Sequence, residues 1–339
     1  MNSKKVLIIY TGGTIGMKKT DNGYAPARGY LAGALESIPD MNSPGMPRWE
    51  LYEMSPILDS SNISVLEWNK IARVIYERYN EFDGFVVLHG TDTMAYTASA
   101  LSFILKNNHK PIVLTGSQIP ISSLRSDGAQ NVVASIIVAA EGVVGEVCLC
   151  FGSRLLRGNR STKMSADGLL AFDSPNYPHL ADIGISIRYN VSAIRQRTPL
   201  PIEFRPFSEV PIGVLKVFPG IQFSLFESIM TEKLSGIVLE TFGAGNIPDA
   251  NGELLPIVRR AFEAGVSVVV CSQCPEGTVS LGAYESSAQL LRAGAISGFD
   301  MTTEAAVAKL YYLFSLGISR YEISDLMKKS LVGELSEKA

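Results

Sequence analysis

Three segments of this sequence place glycine and hydroxyl side chains directly after short apolar runs. They are Tyr10-Thr11-Gly12-Gly13-Thr14-Ile15-Gly16, His89-Gly90-Thr91-Asp92-Thr93 and Thr115-Gly116-Ser117-Gln118. In open parallel α/β sheets, ligands bind beyond the carboxyl ends of the strands, so these hydroxyls are expected along one edge. The glycines permit tight turns and close approach of the backbone to a ligand. One chemistry for such a loop is phosphate binding. Counted from Gly12, however, the dinucleotide fingerprint needs glycine where Thr14 stands, and no G-x-x-x-x-G-K-[ST] follows. The other chemistry is nucleophilic: a threonine set on a glycine turn can attack a carbonyl once a base removes its proton.

The base must be found without a suitable histidine motif. A neutral lysine can serve, and desolvation lowers a lysine pKa toward that state. Lys163, in Arg157-Gly158-Asn159-Arg160-Ser161-Thr162-Lys163, is the candidate. Local sequence leaves other readings open. From spacing alone Lys163 reads as a solvated surface lysine, Thr14 can be a turn hydroxyl, and Thr91 with Asp92 a helix cap.

Elements that could hold these residues are legible in the apolar pattern. Val6 to Tyr10, Phe85 to Leu88 and Pro111 to Leu114 are continuous rather than alternating apolar runs, as expected for strands covered on both faces of a mainly parallel sheet. Asp92 to Lys106 reads as a helix with Asp92 at its N-cap, since Met94, Ala98, Leu101 and Leu105 recur at helical spacing. Between Asn190 and Gly213 the prolines Pro199, Pro201, Pro206 and Pro211 interrupt the rhythm, which marks a linker. Strands at Val214 to Phe218, Gly236 to Leu239 and Val266 to Cys271 follow. So do helices through Leu255, Val258 and Phe262 and through Val307, Leu310 and Phe314. The fold expected is α/β in two domains: a larger N-terminal mainly parallel sheet flanked by helices over 1–190, a linker over 191–212, and a smaller α/β domain over 213–339.

Composition narrows the function classes. The 339 residues are 46% hydrophobic and 19% charged, which gives ample core for two domains. Thirty Lys and Arg against 33 Asp and Glu leave a net charge of −3, so no broad basic surface is available for nucleic acid. The run before Thr11 is too short for a secretory leader, and Val132 to Ala140 is too short to span a bilayer. The expectation is a soluble protein retained in the cytosol. Cys148, Cys150, Cys271 and Cys274 are assigned to the core as small hydrophobes. A single C-x-x-C without a second ligand pair does not make a zinc site. No metal and no cofactor is expected.

The first two glycine segments, the second running on through Met94-Ala95-Tyr96-Thr97-Ala98, resemble the two signature segments of the bacterial-type L-asparaginase family. The resemblance extends through Thr115 to Gln118, Asn159 to Lys163 and the Gly243-Ala244-Gly245-Asn246 turn, and it is greatest toward the cytoplasmic type I branch. It implies hydrolysis of the side-chain amide of L-asparagine by two acyl transfers. Thr14 would be the nucleophile, and Thr91, Asp92 and Lys163 a second, triad-like group. Tyr24 would lie on a lid spanning Met17 to Pro26. Asp59, Ser60 and Ser61, with Thr91 and Asp92, would hold the amino-acid head group, although many secreted members carry glutamine where Ser61 stands. Asn246 would reach the site of a neighbouring subunit, and the assembly would be a homotetramer, a dimer of dimers. A regulatory asparagine site would involve Thr162, Glu240 and Cys274. Glu240 departs from the basic residue that would grip a carboxylate there, since an acidic group repels one. Two alternatives share the scaffold: the ammonia-releasing subunit of a tRNA-dependent amidotransferase, which usually carries an extra N-terminal domain, and a non-catalytic amino-acid-binding regulator.

Overall fold

The structure is a computed structural model describing residues 4–21, 23–248, 252–283 and 285–337, apart from the side chains of Thr20, Tyr24, Pro26 and Ser286. The chain divides into two compact units, Met1–Arg205 and Pro206–Ala339. In the first, the strands are β1 (Lys5–Gly12), β2 (Met17–Thr20), β3 (Gly23–Pro26), β4 (Arg48–Leu58), β5 (Gly84–Leu88), β6 (Leu105–Lys106) and β7 (Ile112–Thr115). They continue with β8 (Val147–Phe151), β9 (Arg154–Arg157), β10 (Thr162–Lys163), β11 (Phe172–Asp173), β12 (Ala181–Ile183), β13 (Ile187–Tyr189) and β14 (Glu203–Phe204). Its helices are α1 (Tyr30–Glu36), α2 (Val65–Glu77), α3 (Met94–Ile104) and α4 (Gly128–Glu141).

The main sheet has the order β13-β12-β9-β8-β7-β5-β1-β4. β4, β1, β5, β7 and β8 run parallel, and β9, β12 and β13 extend the sheet antiparallel. Both faces are covered, which is why the parallel strands are apolar at consecutive positions. Val6, Ile8 and Tyr10 share a core with Val132 and Ile136 of α4. Leu7 and Ile9, equally buried, face the other way by the period of two. On β7 and β8 packs α3, with α2 against it. Ser64 starts α2 with a reciprocal capping box to Glu67, and the helix buries Trp68, Ile71, Ala72 and Ile75.

The structure revises the helix expected over Asp92 to Lys106. Its α-helical part is Met94–Ile104, and Thr93 rather than Asp92 occupies the N-cap position. Leu105 and Lys106 instead form β6, paired with Glu203 and Phe204 of β14, so part of the proline-rich segment lies along this unit. The segment expected as a lid is an antiparallel hairpin of β2 and β3, Met17 opposite Pro26 and Thr20 opposite Gly23.

In the second unit β15 (Ile212–Lys216), β16 (Gly236–Thr241), β17 (Ser267–Ser272) and β18 (Ile296–Ser297) form a parallel sheet in that order. Its helices are α5 (Leu254–Glu263), α6 (Glu285–Arg292), α7 (Thr303–Ser315) and α8 (Arg320–Met327). Ile237, Leu239, Val268 and Val270 meet Leu254, Ile257, Val258 and Ala261 of α5. At Gly236 the sheet admits α7 closely, since a Cβ there would lie 2.9 Å from the Phe314 ring.

The assignment of all four cysteines to the core needs one correction. Cys148, Cys150 and Cys271 are buried, but Cys274 is exposed, because it lies past the end of β17 where the chain has left the sheet. Burial pushes the thiols of Cys150 and Cys271 up to about 11 and about 12, and that of Cys148 well above its ordinary value. No helix among the described residues is long and apolar enough to cross a membrane.

Candidate active site

The three glycine segments lie side by side because β1, β5 and β7 are adjacent and parallel, with Tyr10 level with Leu88 and Leu88 level with Thr115. Their polar residues therefore emerge at one carboxyl edge. The first two turns meet back to back. A Cβ on Gly13, whose φ is +87°, would stand 2.4 Å from Cα and N of Gly90. A Cβ on Gly90 would stand 2.5 Å from Ser60 Oγ. Only glycine fits at either position, and its absence of side chain brings the Thr14 turn against the turn that carries Thr91. Gly13 N–H also donates to Leu58 O at 3.2 Å, which ties the first turn to the end of β4. Thr14 begins the short 3₁₀ turn Thr14–Gly16 and is half-buried.

Thr91 sits at the centre of a polar chain. Lys163 Nζ donates to its hydroxyl at 2.8 Å and to Asp92 Oδ1 at 2.8 Å. The Thr91 hydroxyl donates to Gln118 Oε1 at 3.1 Å. Gln118 Nε2 donates to Gly168 O at 3.2 Å, which fixes the amide with its oxygen toward Thr91. Asp127 accepts from the N–H groups of Gln118 and Ile119, each at 3.1 Å, and so anchors the third segment. Lys163 is brought in by β10, which pairs with β11 through Lys163 and Phe172. Its side chain is 19% exposed and that of Asp92 is 68% exposed. An ion pair so open to water contributes at most about 1 kcal/mol to stability. The arrangement instead leaves a carboxylate facing solvent beside a lysine that touches a hydroxyl.

Ser60 is buried, and its carbonyl accepts from Thr93 Oγ1 at 2.7 Å. Thr93 thus spends its hydroxyl on the neighbouring turn rather than on capping α3. Asp59 and Ser61 are bound to each other: Asp59 Oδ1 accepts from Ser61 N at 3.0 Å and from Ser61 Oγ at 3.1 Å, as a cap of the turn Ser60–Asn62. The structure therefore gathers Ser60, Thr91, Asp92 and Lys163 with the Thr14 turn. The side chain of Tyr24 lies outside the described residues, and its backbone pairs with Lys19 in the hairpin.

The remaining sequence candidates divide between the units. Asn246 belongs to the second, where its backbone bridges Phe242 across a turn containing Gly243 and Gly245, both at positive φ. Thr162 lies in the first unit beside Lys163. Glu240 and Cys274 lie in the second, and Glu240 Oε1 accepts from Thr303 Oγ1 at 2.6 Å.

Two residues of the site received no role from the sequence. Gln118 closes one side of the Thr91 hydroxyl, and a glutamine after a glycine turn carries no local sign of its partner. His89 is fully buried beneath the same turn. Its Nδ1 bonds the Gly90 carbonyl at 2.7 Å, and its Nε2 bonds Thr97 Oγ1 at 2.9 Å. Burial pulls its imidazole down to about 4, so the ring is neutral at physiological pH.

Comparison with known proteins matches both units. Residues 5–195 match the family model described as asparaginase, N-terminal, and residues 211–327 match the glutaminase/asparaginase C-terminal domain. The chain is 42% identical over 336 residues to the protein named L-asparaginase 1 of Escherichia coli, with 99% of each chain covered. It is 40% identical over 356 residues to a mouse protein named 60 kDa lysophospholipase, covering 98% of this chain and 63% of that one. The crystal structure of L-asparaginase I from Vibrio cholerae superposes with a TM-score of 0.91 at 44% identity, over 99% of this chain and 100% of that one. Threonines on facing glycine turns, with a lysine and a carboxylate at hand, are thus set in a chain that belongs to the asparaginase family.

Proposed function

We propose that this protein hydrolyses the side-chain amide of L-asparagine to L-aspartate and ammonia through a threonyl ester. The observation that carries the reading is the Thr91 hydroxyl held between Lys163 Nζ and Gln118 Oε1, on a turn pressed against the one that bears Thr14. Thr14 Oγ attacks the amide carbon. Its proton passes to the departing nitrogen, which leaves as ammonia, and the aspartyl group remains on Thr14. Water then attacks the ester. Thr91 aligns that water, the Lys163 amine moves its proton, and the Thr14 hydroxyl is regenerated.

The head group is held by charge and hydrogen bonds. Asp92, exposed beyond Lys163, accepts from the substrate ammonium, and Ser60 donates to its carboxylate. Asn246 of a neighbouring subunit completes the site in a homotetramer built as a dimer of dimers, and the enzyme works in the cytoplasm. Ammonia release measured in parallel with L-asparagine, L-glutamine and D-asparagine tests the reading. Fastest release from L-asparagine, with a hydroxamate formed when hydroxylamine replaces water, is the expected result. No release from L-asparagine overturns it.

A further inference from the structure

The turn that carries Thr91 begins at a glycine. Gly13 and Ser60 leave no room for a side chain at Gly90, so the peptide immediately before Thr91 is held through its backbone atoms alone. Something other than a side chain at position 90 has to hold that peptide.

The hydrogen bonds beneath the turn form a chain with only one direction. An indole N–H is a donor and nothing else, so Trp68 Nε1 donates to Thr97 Oγ1 at 3.0 Å. The Thr97 hydroxyl then gives its hydrogen to His89 Nε2 at 2.9 Å. A neutral imidazole that accepts at Nε2 carries its hydrogen on Nδ1, and the group facing Nδ1 at 2.7 Å is the Gly90 carbonyl, which can only accept. Every member finds its complement, and Trp68, Thr97 and His89 are all buried. The chain runs from α2 through α3 to the turn, two helices fixed by their own packing.

We infer that His89 is a positioning residue for the hydrolysis: through the Gly90 carbonyl it fixes the Gly90–Thr91 peptide, and with it the Thr91 hydroxyl between Lys163 and Gln118. The inference rests on the proposed function for its catalytic consequence and on the hydrogen-bond chain for its structural one. A trans peptide sends its N–H opposite to its carbonyl, so drawing the Gly90 carbonyl toward the core directs the Thr91 N–H away from it. Misplacement of a reacting group by about 1 Å costs on the order of 100-fold in rate.

Two substitutions separate positioning from mere filling of space. In His89→Asn the amide nitrogen takes up the place of Nδ1 and keeps the donation to Gly90. In His89→Gln the longer side chain places its amide near Nε2 and loses it. The expected result is a fall in kcat of roughly 30- to 100-fold for His89→Gln, with KM within about threefold, and at most about a fivefold fall for His89→Asn. Thr97→Ser, which keeps the hydroxyl, should stay near wild type, while Thr97→Val should fall roughly 10-fold or more. Melting temperature is measured alongside, since a merely structural role lowers stability in all of these variants and leaves the kcat of the folded fraction alone. Equal kcat in His89→Asn and His89→Gln overturns the inference. A readout without turnover accompanies the assay: in protein labelled with ¹⁵N-threonine, the Thr91 amide resonance should move or split in His89→Gln and hold its place in His89→Asn. An inert wild type therefore sinks the hydrolase reading, and the Thr91 resonance still decides the positioning claim.

Discussion

Both units of this protein end parallel strands in polar residues, yet the two carboxyl edges are put to opposite use. At the edge of the second unit, Thr241 gives its hydroxyl to Cys271 O at 3.2 Å. Gln273 donates to Glu240 O at 2.9 Å and also to Val217 O, and Glu240 accepts from Thr303. These groups are satisfied within their own unit. At the edge of the first unit Thr14 is half-buried, the Asp92 carboxylate faces solvent, and Thr91 is held by side chains rather than by its own backbone. A parallel sheet supplies the place for a site, and the site arises where the polar groups at that edge remain available.

The lysines repeat the contrast. Lys309 and Glu334 are both 0% exposed, paired at 2.6 Å, and Lys309 Nζ also donates to Met327 O at 3.0 Å and Lys329 O at 2.6 Å. Burial pulls the Lys309 ammonium below its ordinary pKa while Glu334 opposes the shift. The Glu334 carboxylate is further occupied by N–H groups of Leu331 and Val332. That pair locks the C-terminal segment onto α7. Lys163 is instead paired with an exposed carboxylate and touches the Thr91 hydroxyl.

The comparison breaks first at the two threonines. Thr14→Ala should lower turnover by roughly 10⁴-fold or more with little change in melting temperature, whereas Thr241→Ala should leave turnover intact and cost about 1 kcal/mol of stability. Steady-state kinetics and calorimetry on both variants check this. Retention of a tenth of the activity in Thr14→Ala removes that residue as nucleophile.

The lysines should separate in the same way. Lys163→Met is expected to abolish measurable turnover and keep the fold, since its stem is retained. Lys309→Met leaves Glu334 buried without its partner and should lose about 3–5 kcal/mol in denaturant unfolding, with kcat of the folded fraction unchanged. A catalytic defect in folded Lys309→Met would erase the distinction between the two.

A third expectation concerns pH. His89 is neutral when folded down to about pH 4, while in the unfolded chain it takes up a proton near 6.5. The unfolded state therefore binds the extra proton as pH falls, and the contribution is complete above pH 6.5 and lost on the way down to 4. The loss is about 3 kcal/mol over that window, from 1.36 kcal/mol per pH unit. Unfolding free energies of wild type and His89→Asn at pH 7 and 4.5 should diverge by most of that amount. Parallel curves would show that His89 is not the buried neutral base described.

The smallest effect separates the cysteines. Brief alkylation of the native protein should mark Cys274 alone, since Cys148, Cys150 and Cys271 are buried with their thiols held protonated, and denaturation should expose all four to mass spectrometry.

The sequence by itself determined the elements and the chemical types at their ends. Continuous apolar runs gave the parallel strands, because covering both faces of a sheet demands it at every position. Glycines marked the turns because only they tolerate the approach of Gly13 to Gly90. Resemblance then singled out Thr14, Thr91, Asp92 and Lys163. Only the tertiary structure decided which hydroxyl meets which partner. Lys163 reaches Thr91 across 72 positions and Thr97 binds Trp68 across 29. Asp59 turns to Ser61, and Thr93 leaves its helix for Ser60. It also decided that Lys163 pairs with an exposed carboxylate and Lys309 with a buried one, although both are lysines in α/β units. The physical reason is range. Backbone conformation follows from sterics and periodicity among near neighbours, whereas a polar side chain chooses among all the donors and acceptors that the fold brings within about 3 Å of it.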